Sequence, residues 1–421
     1  MHILHCNTYE GGGGAAIAAN RLHRGLLAAG VDSRLAVAVS AHETPQVIPL
    51  GGKAVRLLLR PVVSNGERIL AEAFYSRPPH PACTTFSLMP SLQHRRINAL
   101  PRDVLHLHWV TDGFLAPWAL ARLRGPVIWT MHDTWPFTGG CHYPGPGCER
   151  YTASCGRCPE LGSRRAWDLS RLHWRLKRGA VKRIRPVIIS PSLAYAERAA
   201  RSGLLAGCRV EHIPNGIDTE IFRPLDKTQA RHLLNLPQDA IILLFGAMNA
   251  AGDHCKGFDL LCQALSILLA GGHGNFLPVV FGASESDAGL PLPMRFLGRL
   301  HDNITLSLAY SAADVFVCPS RQDNLPNTVL ESLACGTPVA AFAVGGIPDM
   351  VEHGLSGCLA RPHEPEDLAR GLARLLGNKE DRRRMGEAGR ARVERDFAMP
   401  VVAKRHISLY EEMLAAEYGG S

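Results

Sequence analysis

Short apolar runs, separated by segments with helical spacing or turn residues, recur along the whole chain and constrain its fold more than any other feature. In the first half they are Met1–Cys6, Val104–Trp109, Val127–Met131 and Val187–Ser190. In the second half they are Ile241–Phe245, Pro278–Phe281 and Val315–Cys318. Runs this apolar suit parallel strands that helices cover on both faces. The pattern therefore predicts an α/β chain of doubly wound parallel sheets.

A cluster of turn-forming residues, Pro214–Asp218, separates the two sets of runs. Length points the same way, because 421 residues exceed one ordinary core and favour two. We therefore predict one Rossmann-like domain over residues 1–210 and a second over 211–399. We expect a helix at about 400–421 to pack back on the first domain. Ligands of doubly wound sheets bind at the carboxyl ends of the strands, so the site is expected in a cleft between the domains.

Composition narrows the class of protein. Apolar residues make up 46% of the chain and charged residues 20%, which fits a globular protein and argues against disorder. Met1 leads directly into the first apolar run, and no stretch reaches the roughly 18 apolar residues of a membrane span, so we expect a cytoplasmic protein. Lys and Arg exceed Asp and Glu by 46 to 38, and this net charge of +8 suits anionic partners.

The densest polar segment follows the run Val315–Cys318. A loop carrying Asp323 leads there into a helix that starts near Asn327 and carries Glu331 about one turn later. The unpaired amides and the dipole at such a helix start form an anion site suited to a diphosphate. The two carboxylates can accept hydrogen bonds from different hydroxyl groups, as a sugar ligand requires. The alternative is that Asp323 is a turn residue and Glu331 a solvated helix residue.

These two carboxylates, separated by seven residues, resemble the donor motif of the retaining GT-B glycosyltransferases of family 4. The resemblance covers nearly the whole chain. Further matching segments are Asn215–Asp218, Lys256–Gly257, Phe296–Gly298 and Val344–Asp349. The resemblance implies the GT-B fold, in which two Rossmann-like doubly wound domains face a central cleft. The first domain would bind the acceptor and the second the nucleotide-sugar donor.

The resemblance also implies roles for residues of the second domain. Glu331 would hold the ribose hydroxyls, Asp323 the donor sugar, and Lys256 the diphosphate, where its ammonium offsets charge on the leaving group. The nucleotide base would lie against the backbone near Gly298 and Arg299. The remaining donor-binding residues expected on the same loop and helix are Asn324, Leu325 and Asn327.

Two features depart from the family pattern. Asp323 stands where the family more often has Glu, which shortens the reach of the carboxylate. The arginine usually found a few residues before the lysine is missing from Ala247–Cys255, and its role could fall to Arg299 or Arg321.

The loop Gly11–Gly14 opens the first helix of the chain. Without side chains its backbone can approach a phosphate or a sugar, so we predict donor contacts at Gly13 and Gly14. The alternative is a flexible turn.

His132 lies just past the predicted strand Val127–Met131. The resemblance puts a histidine here beside the transferred sugar, with Asp133 able to fix its tautomer. The alternative is a hydrogen-bonded core histidine. The predicted catalytic residues are thus His132, Lys256 and Asp323, with no protein nucleophile assigned and no cofactor required for catalysis.

Four cysteines fall within 18 residues of a segment rich in glycine and proline: Cys141, Cys148, Cys155 and Cys158. Thiolates this close can bind a structural zinc ion in tetrahedral geometry, and the last pair has the two-residue spacing of zinc knuckles. Disulfides and unlinked thiols are the alternatives. The loop is also similar to those of the family branch that makes bacterial exopolysaccharides such as colanic acid.

Nine basic residues with interleaved tryptophan and leucine occupy the segment Arg164–Arg185. A helix of this composition can lie on an anionic membrane surface, which would make the protein peripheral to the inner face of the membrane. The alternative is a solvated basic face whose apolar residues enter the core. No nucleic-acid motif accompanies the charge, so we expect no nucleic-acid partner.

Taken with the resemblance, these features predict a retaining glycosyltransferase that moves a hexose from a nucleotide diphosphate sugar to a polysaccharide precursor or a lipid-linked oligosaccharide. One alternative is a nucleotide-sugar epimerase or hydrolase on the same fold. Another is a non-catalytic protein that binds nucleotide sugars.

Overall fold

The computed structural model describes residues 1–40, 45–51, 66, 69, 75, 84–88, 91–145, 147–246, 252–283 and 293–418. The chain forms two compact units, residues 1–214 with 403–421, and residues 215–402. Of the segment Ala247–Cys255, in which the family arginine is missing, residues 247–251 lie outside the described residues.

The first unit is built on a seven-stranded parallel sheet in the order β3-β2-β1-β4-β5-β6-β7. Its strands are β1 His2–Tyr9, β2 Asp32–Val39, β3 Val47–Pro49, β4 Val104–Leu107, β5 Val127–Thr130, β6 Val187–Ser190 and β7 Val210–His212. The order changes direction between β1 and β4, so these two neighbours form the topological switch point of the sheet.

The second unit repeats this design with a six-stranded parallel sheet in the order β10-β9-β8-β11-β12-β13. Its strands are β8 Ile241–Gly246, β9 Phe276–Phe281, β10 Arg295–Phe296, β11 Val315–Cys318, β12 Val339–Phe342 and β13 Gly357–Ala360. Here the switch point lies between β8 and β11.

Helices connect the strands in both units. Those of the first are Gly14–Ala28, Gln93–Ala99, Pro117–Leu120, Leu169–Ile184 and Leu193–Ala200. Those of the second are Lys227–Leu233, Phe258–Ala270, Asn303–Ala312, Asn327–Ala334, Ile347–Met350, Pro365–Gly377 and Lys379–Asp396. The last helix, Met399–Tyr418, starts in the second unit and continues in the first, where the Tyr410 hydroxyl lies 2.7 Å from Nδ1 of His106.

The second sheet is covered on both faces, as β11 demonstrates. Val315 and Val317 lie in one buried cluster, while Phe316 and Cys318 lie in another on the opposite face. Alternate residues of a strand point to opposite faces, so an uninterrupted apolar run is what a doubly covered strand needs. The predicted α/β fold of two Rossmann-like units is confirmed. Within the described ranges, no helix has both the length and the apolar character to span a bilayer.

Two helices of the second unit, Asn327–Ala334 and Lys379–Asp396, approach closely because the second carries glycine at the contact. A Cβ at Gly386 would lie 2.0 Å from the carbonyl oxygen of Gly336, which follows the first helix. We expect Gly386→Ala to force these helices apart and to lower the free energy of unfolding by about 1 to 3 kcal/mol, as overpacking does.

Gly377 provides the control, because it is also a helical glycine of this unit, the last residue of Pro365–Gly377, but a Cβ there meets nothing within 4 Å. Gly377→Ala should be neutral or stabilising by up to about 1 kcal/mol, from the better helix propensity of alanine. Calorimetric unfolding of the two variants measures the difference. Equal stability of the two would contradict the close helix contact.

Candidate functional site

Two loops meet at the switch point of the second sheet, and they carry the predicted donor residues Lys256 and Asp323. The loop after β8 ends in the one-turn 3-10 helix His254–Lys256, and the loop after β11 carries Asp323. The backbone N–H of Arg321 donates to the carbonyl of Cys255 at 2.8 Å and joins the loops. Gly257 lets them approach, because its φ is +69° and a Cβ there would lie 2.0 Å from the carbonyl oxygen of Pro319.

Lys256 and Asp323 form an ion pair at this meeting point, with 2.7 Å between Nζ and Oδ2. A quarter of the lysine side chain and a tenth of the aspartate side chain are exposed. Burial lowers the pKa of the Lys256 ammonium, but the Asp323 carboxylate outweighs it and holds the pKa above its usual value. The pair therefore presents a fixed positive charge and a hydrogen-bond acceptor side by side.

The glycine pair after β12 fixes the backbone of this aspartate. Gly345 has a φ of +53°, and a Cβ there would lie 1.7 Å from the carbonyl oxygen of Asp323. The N–H of Gly346 donates to the carbonyl of Asn324 at 2.7 Å. Only glycine fits at position 345, so the segment Val344–Asp349 that carried the resemblance has a mechanical role in placing Asp323.

Glu331 lies on the next helix, Asn327–Ala334, and is buried. The Tyr310 hydroxyl donates to its Oε2 at 2.8 Å, which orients the carboxylate. Sequence reasoning missed Tyr310, because no motif residue adjoins it. The helix begins after Pro326, and no side chain caps its first backbone N–H groups, which lie towards the loop. At this helix start, Oδ1 of Asn327 accepts a hydrogen bond of 3.3 Å from the side-chain amide of Asn215, the first residue of the unit.

The two arginines proposed to replace the missing family arginine differ in their surroundings. Arg321 makes a two-pronged ion pair with Asp259, at 2.6 and 2.5 Å. Arg299 is exposed and, among the residues that the structure describes, has no ion pair or hydrogen bond through its side chain. It follows Gly298, whose carbonyl accepts from the N–H of Gly282 at 2.7 Å. Arg299 is therefore the better placed of the two to meet an anion.

The glycine loop of the first unit follows β1 at the other switch point. Gly13 precedes the helix that begins at Gly14, and no side chain caps this helix start. A Cβ at Gly11, Gly12 or Gly13 would meet nothing within 4 Å. Packing within the protein therefore does not require these glycines, and their surroundings leave room for a ligand at this end of the sheet.

His132 lies beyond the end of β5 at one end of a column of histidines. Its Nε2 is 3.0 Å from Nδ1 of His108, and Nε2 of His108 is 2.9 Å from Nδ1 of His5. His106 stacks on His108 with ring centroids 4.3 Å apart, and its nitrogens bond Tyr410 and Thr130. The sequence held a signal for this column, because β1 and β4 both carry histidines and these strands are paired.

Asp133 does not serve His132 as expected. Its Oδ2 accepts from Nε1 of Trp109 at 2.8 Å and lies 2.7 Å from Nδ1 of His142, while its Oδ1 accepts from the N–H of Trp135. These bonds account for the carboxylate. The expectation that Asp133 fixes the tautomer of His132 was therefore wrong, and His108 occupies that position.

Within the described residues, His5, His106 and His108 are the one group of three potential metal ligands whose ligand atoms all lie within 4.8 Å of one another. Hydrogen bonds already engage five of their six ring nitrogens, one on His5 and two each on the other two. A metal ion would have to displace these bonds. The trio is therefore better described as a hydrogen-bonded network than as a metal site.

The predicted cysteine cluster comes together in space. Its four members line one cavity of about 20 Å³ below the loop that follows His142. Burial raises the pKa of the Cys155 thiol to about 12. All four are free cysteines, without a disulfide between them.

The basic segment forms the helix Leu169–Ile184, with Asp168 as its N-cap. Its charges do not share one face, because Lys177 is completely buried among core residues, where its ammonium bonds the carbonyl of Trp135. Arg175 instead stacks over the exposed ring of Trp167 at 4.2 Å. The helix thus has a side that faces the core and an exposed basic side. Lys177 lies on the core side, so it is not one of the basic residues that could face a membrane.

The buried histidines predict acid sensitivity. Burial lowers the pKa of His23 to about 4 and the pKa values of His5, His106 and His108 well below their usual range. Below about pH 6.5 the unfolded chain therefore binds protons that the folded chain excludes. The free energy of unfolding then decreases as the pH is lowered. For these four residues the loss between pH 7.5 and 6.0 should be about 3 kcal/mol in total.

Urea unfolding followed by tryptophan fluorescence measures this, because all six tryptophans lie in the first unit. His23→Gln should reduce the pH dependence, whereas His301→Gln, at an exposed position in the second unit, should not. A free energy of unfolding that stays constant between these pH values would contradict burial of neutral imidazoles.

Two family models match the chain in separate stretches. One, described as Glycosyltransferase Family 4, covers residues 12–221, and the other, described as Glycosyl transferases group 1, covers residues 239–378. The D-inositol 3-phosphate glycosyltransferase of Thermobispora bispora is 34% identical over 224 residues, which are 49% of this chain and 51% of the relative. The chain thus spans about half the length of the curated relatives it matches. Their name does not support the expected colanic-acid branch.

Solved structures share the fold over the whole chain. Sucrose-phosphate synthase from Thermosynechococcus elongatus has a TM-score of 0.69 and 21% identity, covering 99% of this chain and 100% of its own. HepE of Anabaena, solved in complex with UDP-glucose, has a TM-score of 0.64 and 15% identity, covering 99% and 100%. These identities establish the fold alone. Together with the two family matches, the fold shows that the chain belongs to the GT-B glycosyltransferases of the family 4 and group 1 type.

Proposed function

We propose that the protein is a retaining glycosyltransferase that moves a hexose from a nucleotide diphosphate sugar to a saccharide acceptor. The observation that carries the proposal is the group at the switch point of the second sheet. There Lys256 and Asp323 pair at 2.7 Å, beside the helix on which Tyr310 holds the buried Glu331 at 2.8 Å. A cation, an oriented acceptor and an open helix start are what a sugar diphosphate needs.

Each of these groups has a separate task in the proposed reaction. The Lys256 ammonium offsets the negative charge that develops on the diphosphate as the bond to the sugar breaks. Asp323 accepts from a hydroxyl of the donor sugar, and Glu331 accepts from the ribose hydroxyls. Arg299, exposed after Gly298, contributes a second positive charge near the nucleotide. No cofactor takes part.

His132 is proposed to bond the transferred sugar, as the sequence resemblance implies. A ring nitrogen that His108 leaves available can bond a sugar hydroxyl and orient it. No protein nucleophile takes part in the proposed reaction. The donor phosphate itself receives the proton of the attacking acceptor hydroxyl. The new bond then forms on the face from which the diphosphate departs, which retains the anomeric configuration.

The fold shared with HepE, which was solved with UDP-glucose, supports a uridine diphosphate hexose as the first donor to test. The acceptor has two candidates. A polysaccharide precursor or lipid-linked oligosaccharide follows from the sequence resemblance. A phosphorylated inositol follows from the name of the relatives, and the positive net charge of +8 suits either anionic acceptor.

The test incubates the protein with UDP-glucose, alone and with an acceptor, and follows both donor loss and product by NMR. The acceptor probes are D-inositol 3-phosphate and a synthetic lipid-linked saccharide. We expect rapid donor loss only with an acceptor, and an α-linked product from the α-linked donor. Loss at the same rate without acceptor would identify a hydrolase, and an isomerised donor an epimerase. Tight donor binding without loss under any condition would identify a binding protein.

Variants of Glu331 test the donor site directly. Glu331→Gln should weaken UDP binding by 10-fold or more, because hydrogen bonds to a charged acceptor contribute about 1.5 to 3 kcal/mol. Tyr310→Phe, which frees the same carboxylate, should weaken it less. Glu220→Gln is the matched control on the exposed surface of the same unit and should bind UDP normally. Unchanged affinity in Glu331→Gln, measured by calorimetry, would reject the assigned role.

A lipid-linked acceptor requires contact with a membrane surface, and the exposed basic side of Leu169–Ile184 is the candidate. Each Lys or Arg near an anionic surface contributes about 1 kcal/mol at most, so binding should be reversible and sensitive to salt. We expect sedimentation with vesicles that contain anionic lipid at low salt and release at high salt. Reversal of Arg178 and Lys182 to Glu should weaken sedimentation, because both are exposed on this helix.

The same charge change at the exposed residues Arg24 and Arg95 of the first unit provides the control and should have a smaller effect. Equal sedimentation with neutral vesicles would assign the helix to solvent and favour the soluble phosphorylated inositol as acceptor.

A further inference from the structure

The loop that begins after His132 folds without a strand or an α-helix of its own. Between the short 3-10 helix Trp135–Phe137 and the helix Leu169–Ile184, its regular structure in the described residues is one 3-10 turn, Arg150–Thr152, and the isolated bridge of Thr84 with Cys141. Its apolar anchors are few: Cys158 and Leu161 pack with Phe86 in a small local cluster, and Tyr151 is buried in the main core of the unit. Burial of apolar side chains therefore fixes this loop at only these few positions.

The four cysteines of this loop come together at one cavity. Cys141, Cys148, Cys155 and Cys158 all line one cavity of about 20 Å³. A cavity of this size has room for one small ion or water but not for a metal–sulfur cluster. The thiols of Cys158 and Cys141 lie close enough to influence each other's pKa.

Backbone amides point at two of the sulfurs. The N–H groups of Glu160 and Leu161 bond Sγ of Cys158, and the N–H of Gly139 bonds Sγ of Cys155. Amides in this position stabilise a thiolate more than a thiol, because they donate to the charged form. Gly139 has no room for a side chain, since a Cβ there would lie 3.0 Å from Sγ of Cys155 and 2.5 Å from the carbonyl oxygen of Ser170.

The backbone of the last pair is held in an unfavourable conformation. Cys155, Gly156 and Arg157 have φ angles of +52°, +94° and +48° in succession. Residues other than glycine adopt this region at a cost of about 1 to 3 kcal/mol each, and they do so where surrounding bonds hold them. The hydrogen bonds of Gly156 to Ser170 and of Cys158 to Asp168 supply part of that support.

A buried lysine lies near the cluster, and burial lowers the pKa of its ammonium to about 7. Lys177 is fully buried, its ammonium is 3.9 Å from the centre of the Trp135 ring, and it makes no ion pair with a carboxylate among the described residues. Its electrostatic neighbours are Cys155, Asp133 and Cys141. A buried ammonium requires a nearby anion, and a zinc ion with four thiolates carries a net charge of −2.

We propose that Cys141, Cys148, Cys155 and Cys158 bind one structural Zn²⁺ that fixes this loop, with Lys177 balancing part of the charge of the site. Each thiol loses its proton as its sulfur bonds the metal, so binding releases up to four protons to solvent. The sulfurs draw together on binding, because tetrahedral Zn–S bonds of about 2.3 Å bring them closer than they lie in the structure. Four protein ligands leave no open position, so the metal takes no part in group transfer.

The first measurement is the metal content of the full chain, purified under reducing conditions with zinc present. We expect about one zinc per chain. Cys148→Ser and the double variant of Cys155 and Cys158 to Ser should lose the metal, while the matched control Cys208→Ser, a half-buried cysteine elsewhere in the first unit, should keep it. Zinc-free protein, iron in place of zinc, or a disulfide within the cluster detected by mass spectrometry would each overturn the proposal.

The second measurement separates metal loss from misfolding of the variants. Chelation of the unmodified protein should lower the unfolding temperature of the first unit, read from its tryptophan fluorescence, and zinc but not magnesium should restore it. Replacement by Co²⁺ should give the visible absorption bands of a tetrahedral thiolate site. An unfolding temperature that chelation leaves unchanged would reject a structural metal. Neither readout depends on glycosyl transfer, so the zinc proposal and the proposed function fail independently.

Discussion

The direction in which strands are added to a parallel sheet is the constraint on which the rest of the structure depends. At the two central strands the order reverses, so the connections leaving them separate to opposite faces and a crevice remains at their carboxyl ends. In the second unit these strands are β8 and β11, and their loops bring Lys256 to Asp323. In the first they are β1 and β4, followed by the glycine loop and by His108. Strand order therefore brings the loops that carry the candidate site residues to both crevices.

The strands and helices whose environment is uniform could be predicted from sequence. The bounds predicted for Val187–Ser190 and Val315–Cys318 are those of the structure, because turn residues flank each run and its spacing fits one strand. Short or partly polar strands were not predicted. For example, β2 at Asp32–Val39 begins with three polar residues, which obscure the apolar run that follows them. The donor residues were found through a contiguous motif, whereas Tyr310 lies 21 residues from Glu331 and only the fold brings them together.

Lys177 is a residue whose charge alone predicts the wrong environment, because it is buried and not exposed. It stands among eight other basic residues between Arg164 and Arg185, and its type alone places it on the solvated face. Its register does not, because the residues one turn away on either side, His173, Trp174, Ala180 and Val181, are buried. Helical spacing predicts the inward position, and the aromatic ring and carbonyl of Trp135 make it tolerable for an ammonium. Periodicity was the better guide than residue type.

The histidine column of the first unit has a consequence for proton order. A hydrogen bond between two imidazoles needs one N–H and one lone pair, and a neutral imidazole has one of each. If Nδ1 of His108 donates to His132, then Nε2 of His108 must accept from His5, and in the reverse direction all three tautomers change together. The outer nitrogen of His132 is a donor in the first arrangement and an acceptor in the second. The polarity of the outer nitrogen of His132 is thus tied to the tautomer of His5, deep in the core. Exchange between the two arrangements requires one proton to leave His132 and another to reach Nε2 of His5, which is buried and has no hydrogen-bond partner among the described residues.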